Sequence, residues 1–136
     1  MQNLHTLSKL ISEDEFRKIE DLLSRAWCKE TTFIDIQDEW SSDNKAYGQC
    51  AVTTLVINDL FGGKIAYDKP NFHLWNELPD GTWQDFSREQ FKDNRDFTVT
   101  KYQTKEEIFS NKTGLRNKTE DKYKLLKKRF MELYSK

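Results

Sequence analysis

Cysteine is scarce in this chain of 136 residues. Cys28 and Cys50 are the only two, too few for a disulfide framework, and a reducing compartment keeps both as thiols. Long apolar runs are missing as well. Even Leu55-Val56-Ile57 is broken by Asn58 and Asp59, far short of the roughly 18 residues a membrane span needs, so no membrane partner is expected. The amino terminus lacks the basic opening and unbroken apolar stretch of a secretory signal, and a cytoplasmic location is expected. Charge of one sign is not in excess: 22 Lys and Arg face 23 Asp and Glu, a net charge of −1. That balance gives no general attraction to phosphate backbones and argues against nucleic acid as a ligand. Histidine occurs twice, as His5 and His73, with no Cys-x-x-Cys or His-x-x-x-His spacing, so neither a metal site nor a cofactor is expected. Repeats and low-complexity segments are absent.

What is present is core-building material. Hydrophobic residues make up 36% and aromatics 13%, including four Trp and nine Phe, more than disordered chains carry. At this length a single domain over residues 1–136 is expected. Ser12-Glu13-Asp14-Glu15 has the form of a capping box, and Phe16, Ile19, Leu22, Leu23, Ala26 and Trp27 follow at helical spacing. A long polar connection over residues 31–45 holds Trp40 as its one large anchor. Residues 50–61 then read as a central buried helix, stopped by Gly62-Gly63.

Residues 64–67 and 71–77 read as strands, Leu78-Pro79-Asp80-Gly81 as a hairpin turn, 82–86 as the returning strand and 97–102 as a further strand. Between the last two, 87–91 reads as a helical turn started by Ser87, with Gln90 in the capping-box position. A final helix runs from about Thr119 to Tyr134, with Tyr123, Leu126, Phe130 and Leu133 on one face, and packs on the sheet or beside the first helix. Residues 112–136 carry nine basic and three acidic side chains, and residues 12–43 four and ten, a complementarity best used between two faces of one domain. The fold class that follows is α+β: a central helix with cysteine at its N-terminus on a small antiparallel sheet, flanked by N- and C-terminal helices.

Cys50 opens the central helix directly after Gly48-Gln49. A helix N-terminus carries about half a positive charge and free N–H groups, which favour thiolate and can hold an oxyanion. Gly48 would let a substrate backbone come close. A small buried cysteine would occupy the same place without chemistry.

His73 lies in a strand among aromatic neighbours and needs a partner, which the hairpin register decides. A three-residue loop with Gly81 left-handed sets Leu78 opposite Thr82 and Trp75 opposite Asp85, with His73 on the diagonal from Asp85. A two-residue loop would turn Asp85 to the other face. Cys50, His73 and Asp85 are thus candidate nucleophile, base and orienter of thiol acyl transfer. Metal binding by the same three would need a fourth ligand. Cys28 belongs to a different element and reads as a buried or half-exposed thiol, and His5 has no expected role.

The stretch from Trp40 through Phe61, with Asn44, Ala46 and Gly48-Gln49-Cys50-Ala51-Val52-Thr53, then Asp59 and Phe61-Gly62-Gly63, is followed by His73-x-Trp75-Asn76-x-Leu78-Pro79-Asp80-Gly81, Asp85, Ser87-Arg88 and Gln90-Phe91. This pattern, over about half the chain, resembles the YunG-like family of small bacterial proteins. The resemblance implies a compact α+β protein with a papain-like or transglutaminase-like core. The family pattern has Asn-Pro-Ala where this chain has Asn44-Lys45-Ala46, a departure that loosens the loop. Asn44 stands six residues before the cysteine, the separation of the oxyanion-hole amide in papain-like enzymes. Gln49 is the rival amide donor, beside the backbone N–H of Cys50. The expected activity is cysteine-dependent amide hydrolysis or acyl transfer on a peptide or small molecule, with Gly48, Trp75 and Trp40 binding substrate. The alternative is a non-catalytic papain-like module in which Trp75, Trp83 and Trp40 grip a ligand.

Overall fold

A computed structural model describes residues 9–135. The first helix, α1, spans Glu13–Ala26 and is capped as its sequence dictates: the Ser12 hydroxyl accepts from the Glu15 N–H at 3.1 Å. Phe16, Ile19, Leu22, Leu23 and Ala26 form its buried face. The chain leaves the helix at Trp27, and residues 29–44 follow as three short 3-10 turns, Lys29–Thr31, Ile34–Glu39 and Ser42–Asn44, where only an irregular connection was expected.

Helix α2, Cys50–Phe61, is apolar on most of its circumference, and Val52 to Ile57 are all buried. Two buried polar tethers fix its first turns. The Trp27 indole N–H donates to Thr53 Oγ1 at 2.9 Å, and the Asn76 side-chain amide donates to the Thr54 carbonyl at 3.0 Å. Gly62 ends the helix, its N–H bonding the Asn58 carbonyl at 2.8 Å.

Four strands, β1 (Lys64–Asp68), β2 (His73–Glu77), β3 (Trp83–Gln84) and β4 (Lys101–Gln103), form an antiparallel sheet in the order β3-β2-β1-β4. The β2–β3 loop has the three-residue form. Gly81 sits at φ 84°, where no Cβ is tolerated without strain, and Leu78 and Thr82 close the loop through an N–H to carbonyl bond of 2.8 Å. Asn76 pairs with Gln84 and Glu77 with Trp83. One step further along, this register sets Asp85 across from Trp75.

The expected strand over 97–102 is shorter than predicted. The Asp68 carboxylate takes the Thr98 N–H at 2.9 Å, a donor a ladder would have used, and regular pairing begins only at Lys101. Two short helices then appear that the sequence pattern did not announce, α3 (Lys105–Ser110) and α4 (Lys112–Asn117). Thr104 and Glu107 cap the first reciprocally, and Asn111 Oδ1 takes the Gly114 N–H at 2.7 Å in the second.

The last helix, α5, runs Thr119–Tyr134 and packs against α2 and α1 through Tyr123, Leu126 and Phe130. Its basic side chains reach backbone carbonyls of the first third of the chain and the carboxylate at the end of α2. Arg129 donates to the Ala26 carbonyl at 2.6 Å, and Lys105, Lys127 and Tyr123 converge on Asp59. Arg116 of α4 pairs with Asp35. No helix among the described residues is long and apolar enough to cross a membrane.

Candidate active site

Cys50 is the first residue of α2 and is half-buried. The opening N–H groups of a helix have no carbonyl four residues back to bond, so the thiol stands among donors. Gly48 precedes it at φ 74°. A Cβ there would fall 2.4 Å from Thr32 Oγ1, so only glycine lets the loop pass this close to the 29–31 turn.

His73 begins β2 and is completely buried. Its ring packs against Phe91 and Phe97, each with centroids 4.8 Å away, and lies roughly parallel to the Trp75 ring at 6.0 Å. Its Nε2 donates to Asp85 Oδ2 at 2.5 Å, while Asp85 Oδ1 takes the Ser87 N–H at 3.1 Å and its hydroxyl at 3.3 Å. Burial alone would push the His73 pKa down. The charge and hydrogen bond of Asp85, then the hydrogen bond and charge of Cys50, outweigh it and raise the pKa to about 10. The same proximity acts on Tyr67, whose phenol is raised by burial and then by the Cys50 and Asp68 charges. His73 and Asp85 therefore meet as the hairpin register proposed, and Cys50 lies near enough to act on the same imidazole.

Other expectations need correction. Gln49 is not turned toward the thiol. Its side chain is fully buried, with Oε1 accepting from Thr31 Oγ1 at 2.8 Å and Nε2 donating to the Cys28 carbonyl at 3.1 Å. It braces the loop from inside. Asn44 also points elsewhere, donating to the Gln90 carbonyl at 3.3 Å. Trp75 is 0% exposed, sealed among Trp83, Phe97 and Ala66, so it contacts no substrate. Trp40 folds back on its own loop, its indole bonding the Lys45 carbonyl at 2.8 Å, outside the cavity described below. The indole grip of the alternative reading thereby loses two of its three rings.

The amide that does enter the site is that of Gln90. Ser87 and Gln90 do not form the expected capping box around the 3-10 turn Arg88–Gln90. Ser87 serves Asp85, while Gln90 Oε1 accepts the Gly48 N–H at 3.2 Å and Nε2 lies 3.3 Å from His73 Nδ1. The only signal in the sequence was its place in the family-like pattern, since its partners are 17 and 42 residues away.

A cavity of about 360 Å³ opens beside the thiol, bordered by Cys50, Gly48 and Gln90 and continuing past Phe33, Leu74 and Ile108 to α4. Gly48 is the one predicted substrate-binding residue on its wall. Among the described residues no three His, Cys, Asp or Glu side chains are spaced to hold a metal ion.

The model of the YunG protein family matches residues 15–135. The chain belongs to the YunG family. A curated YunG protein of Bacillus subtilis (strain 168), whose name describes it as uncharacterized, is 32% identical over 76 residues, covering 54% of this chain. The match spans 61% of that YunG protein's own length. No solved structure matches the chain.

Proposed function

We propose that the protein is a cysteine-dependent acyl transferase or amide hydrolase built on a papain-like arrangement, with Cys50 as nucleophile, His73 as proton carrier and Asp85 as its orienter. The observation that carries this reading is the buried 2.5 Å contact of His73 Nε2 with Asp85, on an imidazole that Cys50 also influences and whose Nδ1 faces the Gln90 amide at 3.3 Å. With the proton already held on His73, the Cys50 sulfur attacks the substrate carbonyl carbon, forming a carbon–sulfur bond. The carbonyl electron pair moves to oxygen, where the N–H of Cys50 and the Gln90 amide stabilise it. Collapse breaks the bond to the leaving amine, which departs with the proton from His73. Water or a second amine then attacks the thioester, His73 takes its proton, and the acid or new amide leaves as the Cys50 sulfur is freed and the proton stays on His73. Asp85 holds the imidazole in one tautomer throughout and balances its charge.

The test uses p-nitrophenyl acetate as an activated acyl donor, with nitrophenolate release followed by absorbance and the adduct located by peptide mass spectrometry. The wild type should carry acetyl on Cys50. His73→Ala should slow acylation by about 10² or more, the range general acid–base catalysis supplies. Acetylation of Cys28 at an equal rate, or an unchanged rate in His73→Ala, would contradict the assignment.

A further inference from the structure

The cavity beside Cys50 has a wall chemistry that selects a substrate. Phe33, Ile36, Ala51, Val52, Leu74 and Ile108 supply most of it. Several of its polar groups are already committed to protein partners, while Tyr67, Gln103 and Thr113 add neutral polar groups to the wall. Thr31 Oγ1 donates to Gln49, and Asn117 Oδ1 accepts from the Ile34 N–H and Lys122 Nζ, both at 2.8 Å. The Asn117 amide nitrogen donates to Thr119 Oγ1 at 2.9 Å, and Asn111 Oδ1 takes the Gly114 N–H. The one charged side chain on the wall among the described residues, Asp35, is neutralised by the forked contact of Arg116. A charged group entering here would lose its water and meet no unpaired counter-charge among the described wall residues, a heavy desolvation cost. An apolar chain loses nothing.

The mouth carries a second observation. Phe72, the residue before His73, is 56% exposed and holds φ 53°, a left-handed conformation that is an outlier for a bulky side chain. Its ring stands edge-on to Phe33 at 5.8 Å and to Tyr67 at 6.5 Å, and all three line the cavity. Backbone strain that keeps an aromatic ring in water, at the rim of an apolar hole and one residue from the site, is retained where the ring has something to cover.

We propose that this cavity is the acyl pocket of the site and takes an uncharged apolar acyl chain, aliphatic or aromatic, with Phe72 folding over it. The proposal rests on the acyl-transfer reading for its reaction but not for its ligand. Two measurements separate them. In the first, octanamide, acetamide and succinamate are titrated into Cys50→Ser and followed by amide NMR shifts. Octanamide should bind at least tenfold more tightly than either of the others and shift residues along the cavity. In the second, wild-type acylation by p-nitrophenyl acetate, butyrate and octanoate is compared. Each methylene that enters the pocket should raise kcat/KM about fourfold, the worth of one buried CH₂.

Thr113→Trp, placed on the half-buried α4 wall, should fill the pocket and abolish both octanamide binding and the chain-length preference. Gln103→Trp serves as a second filler should the first not fold. Octanamide binding without acylation of Cys50 would overturn the catalytic reading and uphold the pocket. Acylation that ignores chain length, with octanamide and succinamate binding alike, would overturn the pocket and uphold the chemistry.

Discussion

Replacing Asp85 by asparagine tests the heart of the site, because it removes a charge and keeps the shape. The new side-chain amide would still offer an oxygen to the Ser87 N–H, so the corner after β3 should hold. His73 is different. Its ring is fully buried, and the carboxylate is the first of the influences that raise its pKa to about 10. Without it, burial is opposed only by Cys50 and the more distant Asp68 charge, and the pKa should fall markedly.

The linkage sign follows from a folded pKa above the unfolded value of 6.5. Below 6.5 both states hold the proton and the stabilisation is complete. Above it the native state alone keeps the proton, and unfolding free energy falls by about 1.4 kcal/mol per pH unit until about pH 10. The stabilisation lost should be on the order of the roughly 3–5 kcal/mol cost of breaking a buried charge pair. Urea unfolding across that window should show the decline in the wild type, and Asp85→Asn should remove most of it. Imidazole NMR reads the same event directly, because the only other histidine is His5, outside the described residues. A wild-type ring that titrates near 6.5, or an Asp85→Asn protein whose stability declines just as steeply, would refute the reasoning.

Gln90→Ala should lower the acetylation rate of Cys50 by about 10², the cost of one oxyanion donor, with KM and the urea midpoint little changed; a rate equal to wild type would remove Gln90 from the mechanism. Two of the positive-φ glycines should separate strain from crowding in urea unfolding. Gly81→Ala has nothing within 4 Å of the new Cβ and should cost only the backbone term, about 1–2 kcal/mol. Gly48→Ala meets Thr32 and Ile36 at 2.4 and 2.8 Å and should cost clearly more. Equal losses would contradict the packing argument.

Much of the scaffold was legible because local chemistry dictates it. Ser12 caps α1, Gly62 stops α2, and Gly81 sets the loop length from which the His73–Asp85 diagonal follows. What was not legible depends on partners distant in the chain. Trp75 reads equally well as a groove residue or as core, and only the layer of Phe97 and Trp83 against that sheet face decides for core. Gln49 and Gln90 are chemically identical, and which amide enters the site depends on whether Thr31 or His73 lies nearer. The strand over 97–102 alternates convincingly, but alternation cannot foresee that Asp68 captures a backbone donor. The caps of α3 and α4 were present in Thr104, Glu107 and Asn111, and short helices so close together offer too few turns for periodicity to declare them.

The clasp of Ser87 on the second oxygen of Asp85 has a further consequence. A carboxylate held at both ends cannot swing away when the neighbouring ring changes its charge state, and none of its rotational freedom has to be surrendered at that moment. The arrangement is set in place during folding, so the reorganisation that water would demand of a free acid is already complete before any ligand arrives.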